Sequence, residues 1–130
     1  MLRQFEHIAI RVRSLEESIS FYRDLLGFRL RECVDEPDEK LRVGFVELNG
    51  VELELLDYEG EEPAQEAANQ ALIPHIAFRV DDLMETSKMM EKKGISFQPG
   101  FPKKVLGDRY LIAFFNGPNG EILEILQRLK

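Results

Sequence analysis

The sequence predicts an α+β fold made of two tandem copies of one strand–helix–three-strand unit. Three observations carry that expectation. The chain repeats itself: Glu6-His-Ile-Ala-Ile-Arg-Val12 returns as Pro74-His-Ile-Ala-Phe-Arg-Val80, 68 residues later. Leu48-Asn-Gly-Val-Glu-Leu-Glu-Leu-Leu56 returns as Pro118-Asn-Gly-Glu-Ile-Leu-Glu-Ile-Leu126, at an offset of 70. Two matches in the same order at nearly one offset indicate duplication, and the period exceeds that of solenoid repeats. Within each copy, period-two alternation marks strands, and one helix-start signal follows the first of them.

In the first copy, residues 6–12 alternate, with β-branched Ile8, Ile10 and Val12 on one side. Ser14-Leu-Glu-Glu17 is a capping-box pattern for a helix to about Leu26, and Gly27 is its stop. Ile19, Tyr22 and Leu26 supply its apolar stripe. Strands are then expected near 28–35, 41–48 and 51–58. In the second copy, Asp82-Leu-Met-Glu85 opens a helix ending near Gly94, with strands near 95–99, 108–116 and 121–128. Pro99 and Pro102 interrupt the pattern around the first of these. Asn49-Gly50 and Asn119-Gly120 both read as tight hairpin turns. Residues 60–73 form a polar, Ala-rich linker with a short helix possible in it. A copy of about 58 residues buries little apolar surface alone, so residues 1–130 are expected to form one domain of two modules, about 1–59 and 74–130.

Composition narrows the function. The 130 residues carry 17 Lys+Arg against 24 Asp+Glu, a net charge of −7. A general nucleic-acid binder needs a basic face to displace counterions, so that class is excluded. No apolar run approaches the roughly 18 residues that span a bilayer. The N-terminus enters a strand pattern at once, so no signal peptide and a cytoplasmic location are expected. Cys33 is the sole cysteine, which removes an intrachain disulfide and a thiolate metal cluster. It has no basic neighbour in sequence to make it a nucleophile.

The two histidines, His7 and His75, are equivalent in the repeat, and so are Glu54 and Glu124. The spacings from histidine to glutamate are 47 and 49 residues. Neighbouring acids lack this symmetry, since Glu52 matches Ile122 and Glu121 matches Val51. Alternation puts His7, Ala9 and Arg11 on the strand face opposite Ile8, Ile10 and Val12, which suit a helix contact. Glu54 shares the histidine face, between Leu53 and Leu55, and His75 and Glu124 follow by symmetry. One histidine in a strand is ordinarily structural, and one glutamate there ordinarily faces water. Two of each recurring together favour a site, because buried carboxylates cost several kcal/mol unless paired or bound to a cation. Two imidazoles and two carboxylates without sulfur suit Zn, Ni, Co, Mn or Fe(II), which sequence does not rank. Arg11 and its counterpart Arg79, on the same face, read equally as rim arginines or as grips for an anionic substrate group. Arg109, Lys103 and Lys104 read as solvated, and Phe45, Phe78, Phe114 and Phe115 as core.

His7-Ile-Ala-Ile, Ser18-Ile-Ser-Phe-Tyr-Arg-Asp-Leu-Leu-Gly-Phe28, Leu53-Glu-Leu55, His75-Ile-Ala-Phe-Arg-Val-Asp-Asp82 and Phe114-Phe-Asn-Gly-Pro-Asn-Gly-Glu-Ile-Leu-Glu124 together resemble the glyoxalase/bleomycin-resistance/dioxygenase superfamily, the vicinal oxygen chelate proteins. The resemblance implies two βαβββ modules in a cupped eight-stranded mixed sheet, with a divalent metal ion held by His7, Glu54, His75 and Glu124. An acid at Glu54 resembles glyoxalase I and related isomerases, in which Glu54 and Glu124 would move a proton next to a carbonyl. Glu124 is the favoured base. Arg11 matches an arginine near the glutathione of glyoxalase I, whereas the asparagine expected four residues after the second ligand is Tyr58 here. The implied function is a metal-dependent lyase or isomerase of glyoxalase I type, acting as a homodimer on a small molecule such as a thiol adduct. An epimerase acting on an acyl-CoA is one alternative, supported by Arg42-Val-Gly-Phe45. A thiol transferase conferring resistance and a protein that sequesters a ligand without turnover are others.

Overall fold

In the computed structural model of the chain, residues 1, 3, 5–59, 61 and 75–129 are described. The chain divides into two compact units, Met1–Gln65 and Glu66–Lys130. The helix considered for the linker lies outside the described residues.

In the first unit, β1 (His7–Arg11) turns its Ile8 and Ile10 inward, and Val12 beyond it is 1% exposed. Ser14 is extended and its hydroxyl accepts the N–H of Glu17 at 3.2 Å, which starts α1 (Leu15–Ser20). The helix does not continue as an α-helix to Leu26, as expected, but widens into a π-helical turn at Phe21–Leu25. Fully buried Tyr22 sits in that turn, edge-on to both Phe21 and Phe28. Apolar positions at 19, 22 and 26 mark a buried face without distinguishing the two helix pitches. Gly27 ends the segment at φ +85°, a conformation that glycine adopts without a Cβ clash.

Three antiparallel strands follow: β2 (Arg29–Glu36), β3 (Leu41–Leu48) and β4 (Val51–Tyr58). Strand β4 returns beside β1 in parallel, giving the order β1-β4-β3-β2. Asn49 and Gly50 both have positive φ between the paired Leu48 and Val51, so this is the expected two-residue hairpin. On the helix side, Val46, Leu53 and Leu55 are at most 1% exposed. Gly44 lets the helix approach, since a Cβ there would lie 2.9 Å from Leu15 Cδ1.

The second unit repeats this plan with β5 (Ile76–Arg79), α2 (Leu83–Lys92), β6 (Lys103–Val105), β7 (Tyr110–Asn116) and β8 (Ile122–Arg128), in the order β5-β8-β7-β6. The carboxylate of Asp82 accepts the N–H of Glu85 at 3.1 Å, capping α2. Two expectations fail here. Residues 95–99 contribute only an isolated bridge from Phe97 to Phe115, and the edge strand lies later, at Lys103–Val105. Pro99 and Pro102 each lack an N–H for a ladder, which delays the strand until both have passed. Asn119-Gly120 is not a two-residue hairpin either, because β7 and β8 close at Asn116 and Ile122. Pro118 stands where Leu48 stands in the first copy and has no N–H to complete that pair. The turn closes instead through Gly117 and Gly120, with Gly117 N–H donating to Glu121.

Among the described residues, hydrogen bonding groups the strands into two open four-stranded mixed sheets, one per unit. Each helix is also tied to the last strand of its own unit. Asp57 Oδ2 accepts Leu15 N–H at 3.0 Å, and Gln127 Oε1 accepts Leu83 N–H at 2.8 Å. These equivalent anchors escaped sequence reading because an acid and an amide do not look alike in a repeat. Asp57 is 7% exposed, so Asp57→Ala leaves a buried donor unpartnered and should cost about 1–3 kcal/mol, measurable by urea denaturation. A loss below a few tenths of that would show that water replaces the carboxylate. Among the described residues, no helix is long and apolar enough to cross a membrane.

Candidate metal centre

The face of each sheet opposite its helix carries the repeated polar residues. In the first unit, the parallel register places Glu52 beside His7 and Glu54 beside Ala9. Glu54 reaches back along the strand, so that its Oε2 lies 2.8 Å from His7 Nε2. Both side chains keep partial access, 35% for the histidine and 21% for the glutamate. Phe45 lies directly across β3–β4 from Glu54. The Arg31 guanidinium covers that ring, 4.6 Å from its centroid. It also forks Glu52, with Nε–Oε2 at 2.6 Å and Nη2–Oε1 at 2.8 Å. This fork holds the Glu52 carboxyl below its usual range and the arginine above its own.

In the second unit, His75 immediately precedes β5, and Glu124 is the partner of Ala77 on β8. His75 Nε2 and Glu124 Oε1 are 3.8 Å apart, too far for a hydrogen bond. Phe114 lies across β7–β8 from Glu124 and meets His75 edge-on at 5.4 Å. Phe101 packs on Phe114 in turn, at 5.2 Å. The Glu124 side chain is only 8% exposed. Burial pushes its carboxyl above the ordinary value, and His75 opposes that shift in part.

The structure thus brings His7 to Glu54 and His75 to Glu124, each pair on the expected face of its own sheet. Among the described residues, no group of three or more His, Cys, Asp or Glu side chains forms a ready cation site. Each unit offers one imidazole and one carboxylate on its sheet face. Nitrogen and oxygen donors without sulfur suit a divalent ion of borderline hardness. Glu124 in particular is a buried acid whose histidine stands off by 3.8 Å, an arrangement that an added cation would relieve.

Arg11 lies on the predicted face with its guanidinium 4.8 Å above the Tyr58 ring, and its Nη2 is 2.8 Å from Glu61. Tyr58, which departs from the asparagine of the resemblance, is therefore a platform for that arginine. Arg79 is exposed on β5, beside Leu126 in the register. Phe115 is core, fully buried, as expected. Phe114 is buried too, as expected, whereas Phe45 is only half-buried, and both stand on the histidine face of their sheets. For Phe45 the signal was available, since counting back through Asn49-Gly50 puts it opposite Glu54. The same count through Asn119-Gly120 points to Phe115 rather than Phe114, because that turn is not a two-residue hairpin. Arg31 and Phe101 had no such signal.

The family model described as Glyoxalase/Bleomycin resistance protein/Dioxygenase superfamily matches residues 4–125. The chain belongs to this superfamily. It is 29% identical to the lactoylglutathione lyase of Haemophilus influenzae, over 95% of this chain and 92% of that protein. It is 32% identical to the mitochondrial methylmalonyl-CoA epimerase of Mus musculus, over 72% of this chain and 55% of that protein. Among solved structures, a glyoxalase family protein from Enterococcus faecalis superimposes with a TM-score of 0.82 at 25% identity, covering 96% of this chain and 98% of that one. The superfamily membership accounts for the duplicated strand–helix–three-strand plan.

Proposed function

We propose that the chain is a divalent-metal-dependent lyase or isomerase of glyoxalase I type, acting on a small molecule by proton transfer next to a carbonyl. The observation that carries this reading is the recurrence of one histidine–glutamate pair at equivalent places in both units. The ion's ligands in this reading are His7, Glu54, His75 and Glu124. Bound there, it would polarise the substrate oxygens and make the adjacent C–H more acidic. The proton itself is moved by protein groups. Glu124 is the principal base, because burial already favours its protonated form and so makes it a competent acceptor. Glu54, more exposed and 2.8 Å from His7, delivers a proton taken from solvent to the neighbouring carbon, while Glu124 releases the one it accepted to solvent. Phe45 and Phe114 supply apolar walls beside the two acids. Arg11 and Arg79 bind an anionic part of the substrate, Arg11 giving up Glu61 to do so. A homodimer in the cytoplasm completes the proposal.

Purified protein should contain a stoichiometric transition metal and convert methylglyoxal, with glutathione or bacillithiol, into a thioester followed by absorbance. Metal-replete protein without turnover of either adduct would sink the lyase reading. An epimerase is the second reading, favoured by the 32% identity to the mouse enzyme. Its signature is proton-to-deuteron exchange at C2 of methylmalonyl-CoA. Failure to take up metal after reconstitution would favour a binding protein instead.

A further inference from the structure

Besides Glu6, whose Oε1 is 4.0 Å from His7 Nδ1, two carboxylates of β4 stand beside His7. Glu52 is its partner in the β1–β4 register, and Glu54, one pleat further along the same face, makes the 2.8 Å contact. A glutamate has enough torsional freedom for either acid to reach the imidazole. What separates them is Arg31, whose planar fork occupies both oxygens of Glu52 while its plane rests over Phe45. We propose that Arg31 is a positioning residue that holds Glu52 away from His7 and so reserves that imidazole for Glu54.

The second unit serves as an internal control. Ile122 stands where Glu52 stands, so no rival acid occupies that place, and Phe114 is covered by Phe101 instead of an arginine. The arginine occurs where the competing carboxylate occurs. Its placement comes from a break in the β2–β3 register between Leu30 and Glu32, which takes Arg31 out of regular pairing. Bulges of this kind re-aim a side chain beside a site. The proposal rests on the reading of His7 and Glu54 as ligands of an ion, whose orientation depends on such supporting contacts.

Arg31→Met keeps an apolar stem over Phe45 and removes the fork. In its metal-free crystal structure, Glu52 should lie within hydrogen-bonding distance of His7. The Co(II)-loaded variant should show a shifted visible spectrum, because the donors around His7 have changed. Adding Glu52→Gln to Arg31→Met should restore the wild-type spectrum, while Glu52→Gln alone should leave it unchanged. Arg31→Lys keeps the charge without the fork and should behave as Arg31→Met does. A wild-type spectrum in Arg31→Met with Glu52 unmoved overturns the proposal. So does a double variant as shifted as the single one, which would mean that Arg31 acts through charge or packing. Wild-type protein that takes up no Co(II) would refute the metal reading alone, and the Arg31→Met crystal structure would still decide the role of the arginine.

Discussion

Glu124→Gln should lower turnover by about 10²–10⁴-fold, the range general-base catalysis supplies, while circular dichroism shows an unchanged fold. The amide is isosteric with the acid but accepts no proton and is a poor ligand for a hard cation. The same substitution should act oppositely on the metal-free chain. Burial raises the Glu124 carboxyl above the ordinary value of 4.5, so the folded chain holds this proton more tightly than the unfolded chain does. The stabilisation from that proton is complete below the unfolded value and is lost as pH rises through the folded one. Metal-free Glu124→Gln should therefore melt higher than metal-free wild type at pH 7. The gap should close as pH falls below about 4.5, the ordinary carboxyl value. Thermal melts in chelator at several pH values check this. A variant with wild-type activity would remove Glu124 from proton transfer, and a gap independent of pH would remove burial as the source of the shift.

Phe115→Ala should destabilise the protein by about 3–5 kcal/mol, the usual cost of emptying a fully buried aromatic position. Phe115 is 0% exposed on the helix side of β7 and meets Phe97 edge-on at 5.6 Å. Against the roughly 5–15 kcal/mol that a domain of this size commands, the loss is severe. Its neighbour Phe114 points to the other face, so Phe114→Leu should spare more of the stability and weaken substrate binding instead. Urea midpoints for the two variants separate these effects. Equal stability losses would show that the two faces of β7 are not distinct in function.

Much of the fold was legible because duplication doubles each weak signal. Alternation in residues 6–12 alone is ambiguous, but its return 68 residues later locates both first strands. The capping residues Ser14 and Asp82 marked their helices because a side-chain acceptor at that place is a local matter. What escaped was whatever depends on partners distant in sequence or on exact backbone pitch. The π-helical turn at Phe21–Leu25 preserves an apolar stripe that an α-helix would also give. The displaced strand at Lys103–Val105 follows two prolines whose combined effect no alternation pattern expresses. At the candidate site, symmetry exposed His7, Glu54, His75 and Glu124. It concealed Arg31, Glu52 and Phe101, which lack equivalents, and Phe45 and Phe114 were read as core alone because burial and site-facing were treated as exclusive.

The parallel ladders β1–β4 and β5–β8 have a consequence for assembly. Each joins the opening and closing strands of its unit, and each donor pair straddles that seam, 47 and 49 residues apart along the chain. Such distant segments are the last to become neighbours in a folding chain. Nascent or frayed protein therefore keeps each histidine apart from its glutamate, and their meeting marks the closing of that unit's own seam.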